Sequence, residues 1–243
     1  MELGGRVALV TGGGRRVGRA LALALGRAGA RVAVHYNGSA EGARETCAEI
    51  ARAGGEAAPF HADLVDGAAP GALVGAVVER FGGLDVLVNS AAVMERTPFG
   101  AVTPSQWDAM FALNLRAPFM LAQAAAEHLV ARGGAMVNIA DLAAFETWPA
   151  YLPHGLTKSG IVHMTRSLAR ILAPAVRVNA IAPGAVLLPD DWDDGSASRL
   201  EDTTPLRRLG SPDDVVGAML YLLGADYVTG ETIIVDGGRH VRR

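Results

Sequence analysis

The sequence predicts an α/β fold, a single-domain doubly wound Rossmann fold, and three observations lead to it. Short runs rich in valine, isoleucine, leucine and alanine recur along the chain of 243 residues. A helix-compatible stretch of about a dozen residues or more follows each run, and the first run ends in a glycine-rich turn. Because strand–helix–strand units place successive strands side by side in one direction, we expect a mostly parallel sheet with helices on both faces. One domain over residues 1–243 accounts for the whole chain.

Seven strands are expected, and we place each at an apolar run between longer stretches of helical periodicity. They lie near 6–11, 31–36, 56–63, 84–91, 134–140, 177–182 and 231–236. The composition breaks only from Leu187 to Thr204, where the chain is acidic, polar and non-periodic. We interpret this segment, within about 187–209, as a mobile substrate lid.

The composition favours a large soluble domain. Half of the residues are apolar, 19% are charged and the formal net charge is -3, so we expect a substantial core and no nucleic acid partner. No stretch approaches the roughly 18 apolar residues of a membrane span. Met1 and Glu2 lead into the first strand without a signal-like segment, so a cytoplasmic location is expected. With Cys47 as the only cysteine and no metal-ligand spacing among the histidines, neither a disulfide framework nor a metal site is expected.

The glycine-rich turn after the first strand, TGGGRRVG over Thr11–Gly18, leads directly into a helix expected at 19–28. Glycines let the backbone approach a pyrophosphate, whose charge is then met by the amides and the positive dipole end of the helix. A glycine-rich turn by itself is also compatible with tight packing. Its place between a strand and a helix predicts a dinucleotide site.

The second predicted strand indicates which dinucleotide binds. An NAD site usually ends this strand with an acid that bonds the ribose hydroxyls, but the segment from Val32 to Ser39 contains none. Arg15 and Arg16 in the turn, with the Ser39 hydroxyl, offer groups for a 2′-phosphate, so we predict NADPH. The alternative is two solvated arginines on a surface turn. Asp63, at the end of the third strand, suits an adenine amino group or a plain surface turn.

Further motifs occur in a characteristic order along the chain. They are Asn89-Ser90-Ala91-Ala92, Asn114, Pro183-Gly184 and Val235-Asp236-Gly237-Gly238. With the glycine turn, they make the chain resemble a classical short-chain dehydrogenase/reductase over essentially its whole length. Within that family it is most similar to pteridine reductases, because Arg16, His35-Tyr36, Ser39 and Asp141, in place of a serine, match that subgroup.

The resemblance implies a set of cofactor-binding residues, most of them in the loops that follow the predicted strands. They are Gly12, Arg15, Arg16, Val17, Gly18, His35, Tyr36, Asn37, Ser39, Asp63, Leu64, Asn89, Ser90, Ala91, Lys158, Pro183, Gly184 and Val186. It also implies a homotetramer, or a homodimer, with the helices at 104–131 and 153–173 as interfaces.

The chain departs from the subgroup at two places. Pteridine reductases usually stack an aromatic residue on the pterin near the position that Val93 and Met94 occupy here. His154 stands where almost all family members carry the tyrosine that gives its proton to the substrate. The expected proton donor is therefore exchanged.

The resemblance implies that hydride reaches a C=O or C=N carbon while a proton reaches the heteroatom, with Lys158 on the nicotinamide ribose and Asn114 anchoring a relay water. Asp141 and His154 form a candidate donor pair, or Asp141 delivers the proton itself. An imidazole nitrogen ends roughly 2 Å short of a phenol oxygen, so a bridging water is a further option. Tyr151 is either a substitute acid or, as we favour, a substrate-lining or packing residue.

We therefore expect an NADPH-dependent oxidoreductase that reduces a C=N or C=O bond of a small, flat substrate. Asp141, His154, Lys158 and Asn114 are its expected catalytic group. The residues expected to line the substrate are Val93, Trp148, Tyr151 and Trp192. The competing hypothesis is an NADP(H)-binding protein that has lost turnover and acts as a sensor or structural subunit, for which His154 is the main argument.

Overall fold

The computed structural model describes residues 1–187 and 194–241. Seven strands form one sheet in the order β3-β2-β1-β4-β5-β6-β7, and every neighbouring pair is parallel. The strands are β1 (Val7–Val10), β2 (Arg31–Tyr36), β3 (Ala57–His61), β4 (Val86–Asn89), β5 (Ala135–Ile139), β6 (Arg177–Pro183) and β7 (Thr232–Val235). The predicted fold class and all seven predicted strands are confirmed.

Helices connect the strands and cover both faces of the sheet. They are α1 (Arg16–Arg27), α2 (Ala40–Arg52), α3 (Ala69–Phe81), α4 (Pro104–Phe111), a π-helical turn (Ala112–Arg116), α5 (Ala117–Arg132), α6 (Leu152–Leu172), α7 (Asp194–Thr203) and α8 (Pro212–Gly224). Short 3-10 turns lie at Leu142–Ala144, Pro149–Tyr151 and Arg239–Val241. Within the described chain, no helix is both long and apolar enough to span a membrane.

The alternation of side chains along β1 divides the core into two layers, as the pleat of a strand requires. Ala8 and Val10 pack with α1, α2 and α8 on one face of the sheet. Val7 and Leu9 pack with α3, α5 and α6 on the other face. Because both faces of the five inner strands are buried, those strands are nearly continuous apolar runs, which is why the sequence located them so well.

A helix that the sequence did not predict, α7, forms inside the segment interpreted as a lid. Few apolar residues face inward there: Ala197 and Leu200 are half-buried, and Thr204 is buried at the helix end. The Thr204 hydroxyl donates to the Leu200 carbonyl at 2.7 Å. So narrow an apolar face leaves little periodicity in the sequence.

Candidate active site

A cleft of about 580 Å³ lies at the carboxyl ends of the strands. It opens beside β1, which pairs with β2 on one side and β4 on the other, so the strand order reverses there. Ligands of doubly wound sheets bind at such a reversal. Every residue predicted to bind the cofactor lines this cleft, with the single exception of Asn89.

The glycine turn shapes one end of the cleft. Gly12 has a φ of +67°, and a Cβ on it would lie 3.1 Å from the Ala91 Cα, so the two loops touch through bare backbone. A Cβ on Gly18 would collide with the Gly12 carbonyl oxygen. No side chain caps the N-terminus of α1, and no acid lies in its first turn. These features fit the pyrophosphate of a dinucleotide.

Two buried side chains hold the turn in place. The Nδ1 atom of His35 accepts the Gly12 N–H at 3.1 Å, and its Nε2 lies 3.1 Å from the Ala62 carbonyl, so the ring is a neutral Nε2–H tautomer. Burial lowers the pKa of His35. The Thr11 hydroxyl oxygen accepts the N–H groups of Ser90 and Ala91 at 2.9 and 3.0 Å.

Thr11 was missed as a functional residue by the sequence analysis. The signal that points to it is a hydroxyl directly after the first strand, at the first position of the glycine turn. His35 was included in the predicted set. The structure shows that it orders the turn through two hydrogen bonds as well as lining the cleft.

The end of β2 is rich in polar and cationic groups. Arg15 and Arg16 are exposed at the cleft, and Ser39 lines the cleft beside them. Arg16 has a φ of +50° and its guanidinium donates to the Leu187 carbonyl at 2.9 Å, which ties the turn to the start of the lid. Asp63 lies one strand further along, and its carboxylate accepts the Val65 N–H at 3.1 Å.

The predicted catalytic side chains meet at the other end of the cleft. His154 and Lys158 lie one turn apart on α6, which starts with Pro153 in its first turn. Asp141 follows β5 in an extended conformation and caps the Leu142–Ala144 turn by accepting the Ala143 N–H at 2.8 Å. The Nε2 atom of His154 lies 3.6 Å from Oδ2 of Asp141.

His154 is enclosed on the side away from Asp141. Its Nδ1 atom lies 3.3 Å from the Val93 carbonyl and 3.5 Å from the Asn114 amide nitrogen. Its Nε2 atom has no solvent contact and no hydrogen bond within the described chain. Any proton on Nε2 therefore faces the Asp141 carboxylate and not open cleft.

Asn114 lies on the π-helical turn and is buried, so its side chain is not a wall of the cleft. Its amide accepts the Val93 N–H at 2.9 Å and donates to the Val93 carbonyl at 2.8 Å. It also donates to the Thr157 hydroxyl at 3.3 Å, which in turn donates to the His154 carbonyl at 2.7 Å. Asn114 thus joins the Val93 loop to the start of α6.

Lys158 is buried, and its ammonium donates to the Ile139 carbonyl at 2.9 Å. Burial lowers the pKa of Lys158 to about 8, and the negative charge of Asp141 partly opposes this shift. The ammonium therefore remains charged at neutral pH at the meeting point of the two ends of the cleft.

Three expectations for side chains need correction. Asn89 is buried beneath the cleft, where its amide donates to Asn138 at 2.9 Å. Trp148 and Tyr151 do not line the cleft. The Trp148 indole donates to Glu146 at 2.8 Å and packs edge-on against Tyr151. Trp192 lies outside the described residues.

The chain is similar to proteins named as reductases and dehydrogenases over almost its whole length. A family model described as enoyl-(acyl carrier protein) reductase matches residues 13–240. The chain is 34% identical to the 3-oxoacyl-(acyl-carrier-protein) reductase of Staphylococcus aureus, over 96% of this chain and 98% of that protein. It is also 34% identical to 3beta-hydroxysteroid dehydrogenase 1 of Eggerthella lenta, over 98% of this chain and 94% of that protein. The crystal structure of a dehydrogenase/reductase from Sinorhizobium meliloti 1021 superposes with a TM-score of 0.92 at 35% identity, covering 98% of this chain and 97% of that one.

Proposed function

Since the chain belongs to the short-chain dehydrogenase/reductase family of oxidoreductases, we propose that it is a cytoplasmic, NADPH-dependent enzyme that reduces a C=N or C=O bond of a small, flat substrate. The observation that carries the proposal is the convergence of Asp141, His154 and Lys158 on the cleft that the glycine turn also lines. A nicotinamide cofactor bound there supplies the hydride.

NADPH, rather than NADH, is supported by the end of β2. Arg15, Arg16 and Ser39 line one corner of the cleft together. A guanidinium and a hydroxyl suit a phosphate, and no acid is present on the adjoining segment of β2 to repel it.

The side chains at the catalytic end have distinct tasks in this proposal. The Lys158 ammonium is positioned to bind the nicotinamide ribose and to hold a positive charge near the reacting atoms. Asp141 is the ionisable side chain that faces the substrate, and His154 supports the carboxylate from behind. Asn114 holds the Val93 loop at a fixed position relative to α6.

A pteridine-like heterocycle is the substrate class that we favour. Asp141 stands in the place of a serine, as in pteridine reductases, and this supports the choice. Val93 and Met94 line the cleft where that subgroup carries a stacking aromatic residue, so they do not add to it. The two curated relatives bear the names of a 3-oxoacyl reductase and a steroid dehydrogenase, so ketones belong in the same test.

The test is NADPH oxidation with dihydropterins, imines, quinones and ketones, run in parallel for the wild type, His154→Tyr and Asp141→Ala. Turnover by the wild type that falls in both variants, by about 100-fold or more, supports the Asp141–His154 pair. Substrate-dependent NADPH consumption that is unchanged in Asp141→Ala contradicts the assigned role of the carboxylate.

A second function is favoured by one observation. The His154 Nε2 atom has no surface in the cleft, so the position of the usual proton donor offers nothing directly to a substrate. A protein that binds NADP(H) without turnover, as a sensor or structural subunit, would show this arrangement. NADPH binding without consumption across the panel, together with turnover gained in His154→Tyr, identifies that function.

We also propose that the chain forms a homotetramer or a homodimer through α4, the π-helical turn, α5 and α6. These elements line an apolar groove with Phe111, Leu115, Phe119 and Met164. Trp107 stacks on Phe111 beside it and is 40% exposed. Analytical ultracentrifugation of the wild type and Phe119→Asp tests this, and a monomeric wild type contradicts it.

A further inference from the structure

We propose that this active site selects substrates whose C=N nitrogen is already protonated, which are iminium cations, and discriminates against ketones. The proposal rests on the reductase activity proposed above. The selection depends on the charge of the substrate and on whether its reacting heteroatom donates or accepts a hydrogen bond. The side chains that line the catalytic end of the cleft determine this preference.

A ketone needs a hydrogen-bond donor at its oxygen, because negative charge develops there as hydride adds to the carbon. Asp141 offers the wrong kind of group for this purpose. A carboxylate only accepts hydrogen bonds, so it repels a carbonyl oxygen that approaches it. Asp141 is the acidic side chain that lines this end of the cleft in the described chain, with 23% of its side chain exposed.

His154 does not compensate for this lack of a donor. The imidazole is 2% exposed, and its Nε2 atom is shielded from the cleft, with the Asp141 carboxylate 3.6 Å away. At the other side of the ring, Nδ1 faces Val93 and Asn114. A proton on either nitrogen is thus directed at a protein group.

Lys158 donates its hydrogen bonds to groups other than the substrate. Its ammonium donates to the Ile139 carbonyl at 2.9 Å, and the residue is 4% exposed. The rest of its donor capacity is directed to the cofactor ribose in the proposed function. Asp141 therefore remains the group that meets the reacting heteroatom.

The Asp141 carboxylate is preorganised to receive a cation. Its Oδ1 atom accepts the Ala143 N–H at 2.8 Å, and its Oδ2 atom faces His154. Each oxygen retains a lone pair after these contacts, and an iminium N–H can donate to one of them as a charge-assisted hydrogen bond. The same position that repels a carbonyl oxygen thus attracts a protonated nitrogen.

An iminium substrate also removes the need for an acid. Its carbon gains a hydride and forms a C–H bond, while the π electrons of the C=N bond become the nitrogen lone pair. The substrate is reduced to an amine, the dihydronicotinamide is oxidised, and no proton is consumed in this step. The reaction is therefore balanced without a donor at position 154.

Three bicyclic substrates of matched shape test the proposal: 3,4-dihydroisoquinoline, its permanently charged N-methyl iminium salt, and the ketone 1-tetralone. We expect both nitrogen compounds to be reduced with a kcat/KM at least about 100-fold above that of the ketone. Asp141→Asn should reduce this ratio by about 10-fold or more, since the amide loses the charge and gains a donor for the carbonyl oxygen.

Asp66→Asn is the matched control. Asp66 is exposed, lies outside the cleft and undergoes the same change of charge, so the substrate ratio should stay as in the wild type. Reduction of the ketone at a rate equal to that of the imine overturns the proposal. So does an unchanged ratio in Asp141→Asn.

Failure of the underlying function gives a different result, namely no NADPH oxidation with any of the three compounds. The proposal is then tested by calorimetry on the protein with NADP, using tetrahydroisoquinoline, which is cationic at neutral pH, against the neutral alcohol 1-tetralol. Tighter binding of the cation that disappears in Asp141→Asn supports the proposal, and equal binding of the two compounds overturns it.

Discussion

The two ends of the cleft are built in different ways. At the cofactor end, backbone atoms make the surface, and the Gly12 and Gly18 positions have no room for a side chain. At the catalytic end, side chains form the surface, among them those of Asp141, His154 and Lys158. A surface made of backbone tolerates little change, whereas one made of side chains can acquire a new chemistry on the same scaffold. Five expected outcomes test this contrast.

The largest effect is expected from Lys158→Met, at the junction of the two ends. We expect kcat to fall at least about 100-fold, because a charge beside the reacting atoms is lost. The free energy of unfolding at pH 7 should rise by about 1–3 kcal/mol, since the folded protein no longer buries an ammonium. Steady-state kinetics and urea denaturation measure the two effects, and reduced activity without a gain in stability contradicts the second.

The sign of the pH dependence follows from the lowered pKa of Lys158. Burial sets that pKa to about 8 in the folded protein, against 10.5 for the ordinary side chain, so unfolding takes up a proton between these values. Stability of the wild type should therefore rise from pH 8 to 10.5, and the advantage of Lys158→Met should shrink. Lys158 is the only lysine of the chain, so ¹³C-lysine labelling gives one resonance, and a titration midpoint near 10.5 contradicts the account.

The cofactor end is tested by Gly18→Ala. The new Cβ collides with the Gly12 carbonyl oxygen, and such overpacking costs about 1–3 kcal/mol. If that cost falls on the cofactor-bound turn, NADPH affinity falls about 5- to 150-fold. Gly75→Ala is the control, because it adds the same methyl group to a helix with open space around it and should stabilise the protein slightly. Fluorescence titration with NADPH that finds equal affinities for both variants contradicts a backbone-built site.

A smaller effect is expected from Arg16→Ala, which addresses the choice of cofactor. We expect kcat/KM for NADPH to fall about 10-fold and that for NADH to change little, because the guanidinium is proposed to bind the 2′-phosphate. Arg52→Ala, at the exposed end of α2, is the matched control. A loss that is equal for the two cofactors would assign Arg16 to the folding of the turn instead.

The smallest effect is expected from Tyr151→Phe. The Tyr151 ring packs against Trp148 outside the cleft, so removal of its hydroxyl should change kcat less than about threefold. Because Phe keeps the ring contact, stability should also be retained. A loss of activity comparable to that of Asp141→Ala would show that Tyr151 is the acid.

The sequence predicted the parts of the molecule that follow from local rules. Buried parallel strands are nearly continuous apolar runs, so all seven strands were located. The glycine turn has a strict order, and 17 of the 18 residues predicted to bind the cofactor line one cleft. The pairing of Asp141 with His154 was also predicted. Sequence patterns do not show how neighbouring residues orient a side chain.

Trp148 and Asn114 illustrate that limit. Trp148 lies near the cleft in sequence, but Glu146 and Arg239 hold its indole away from it. Asn114 was predicted in the catalytic group, and its observed contacts depend on a π-helical turn, whose extra residue per turn leaves no mark in apolar periodicity. The contacts of Trp148 with Arg239 and of Asn114 with Thr157 join segments far apart in the chain.

The cofactor end of the cleft needs a neutral His35 ring, so its stability depends on pH on the acid side. The Nδ1 atom must keep a free lone pair to accept the Gly12 N–H. A second proton on the imidazole would sit on Nδ1, where it would point at the Gly12 N–H and the two donors would repel each other. Burial lowers the pKa of His35, so the folded turn resists protonation while the unfolded chain accepts it below about 6.5. As the pH falls below that value, protonation of the unfolded chain therefore lowers the free energy of unfolding, and the turn itself loses the Gly12 hydrogen bond only below the lowered pKa of folded His35.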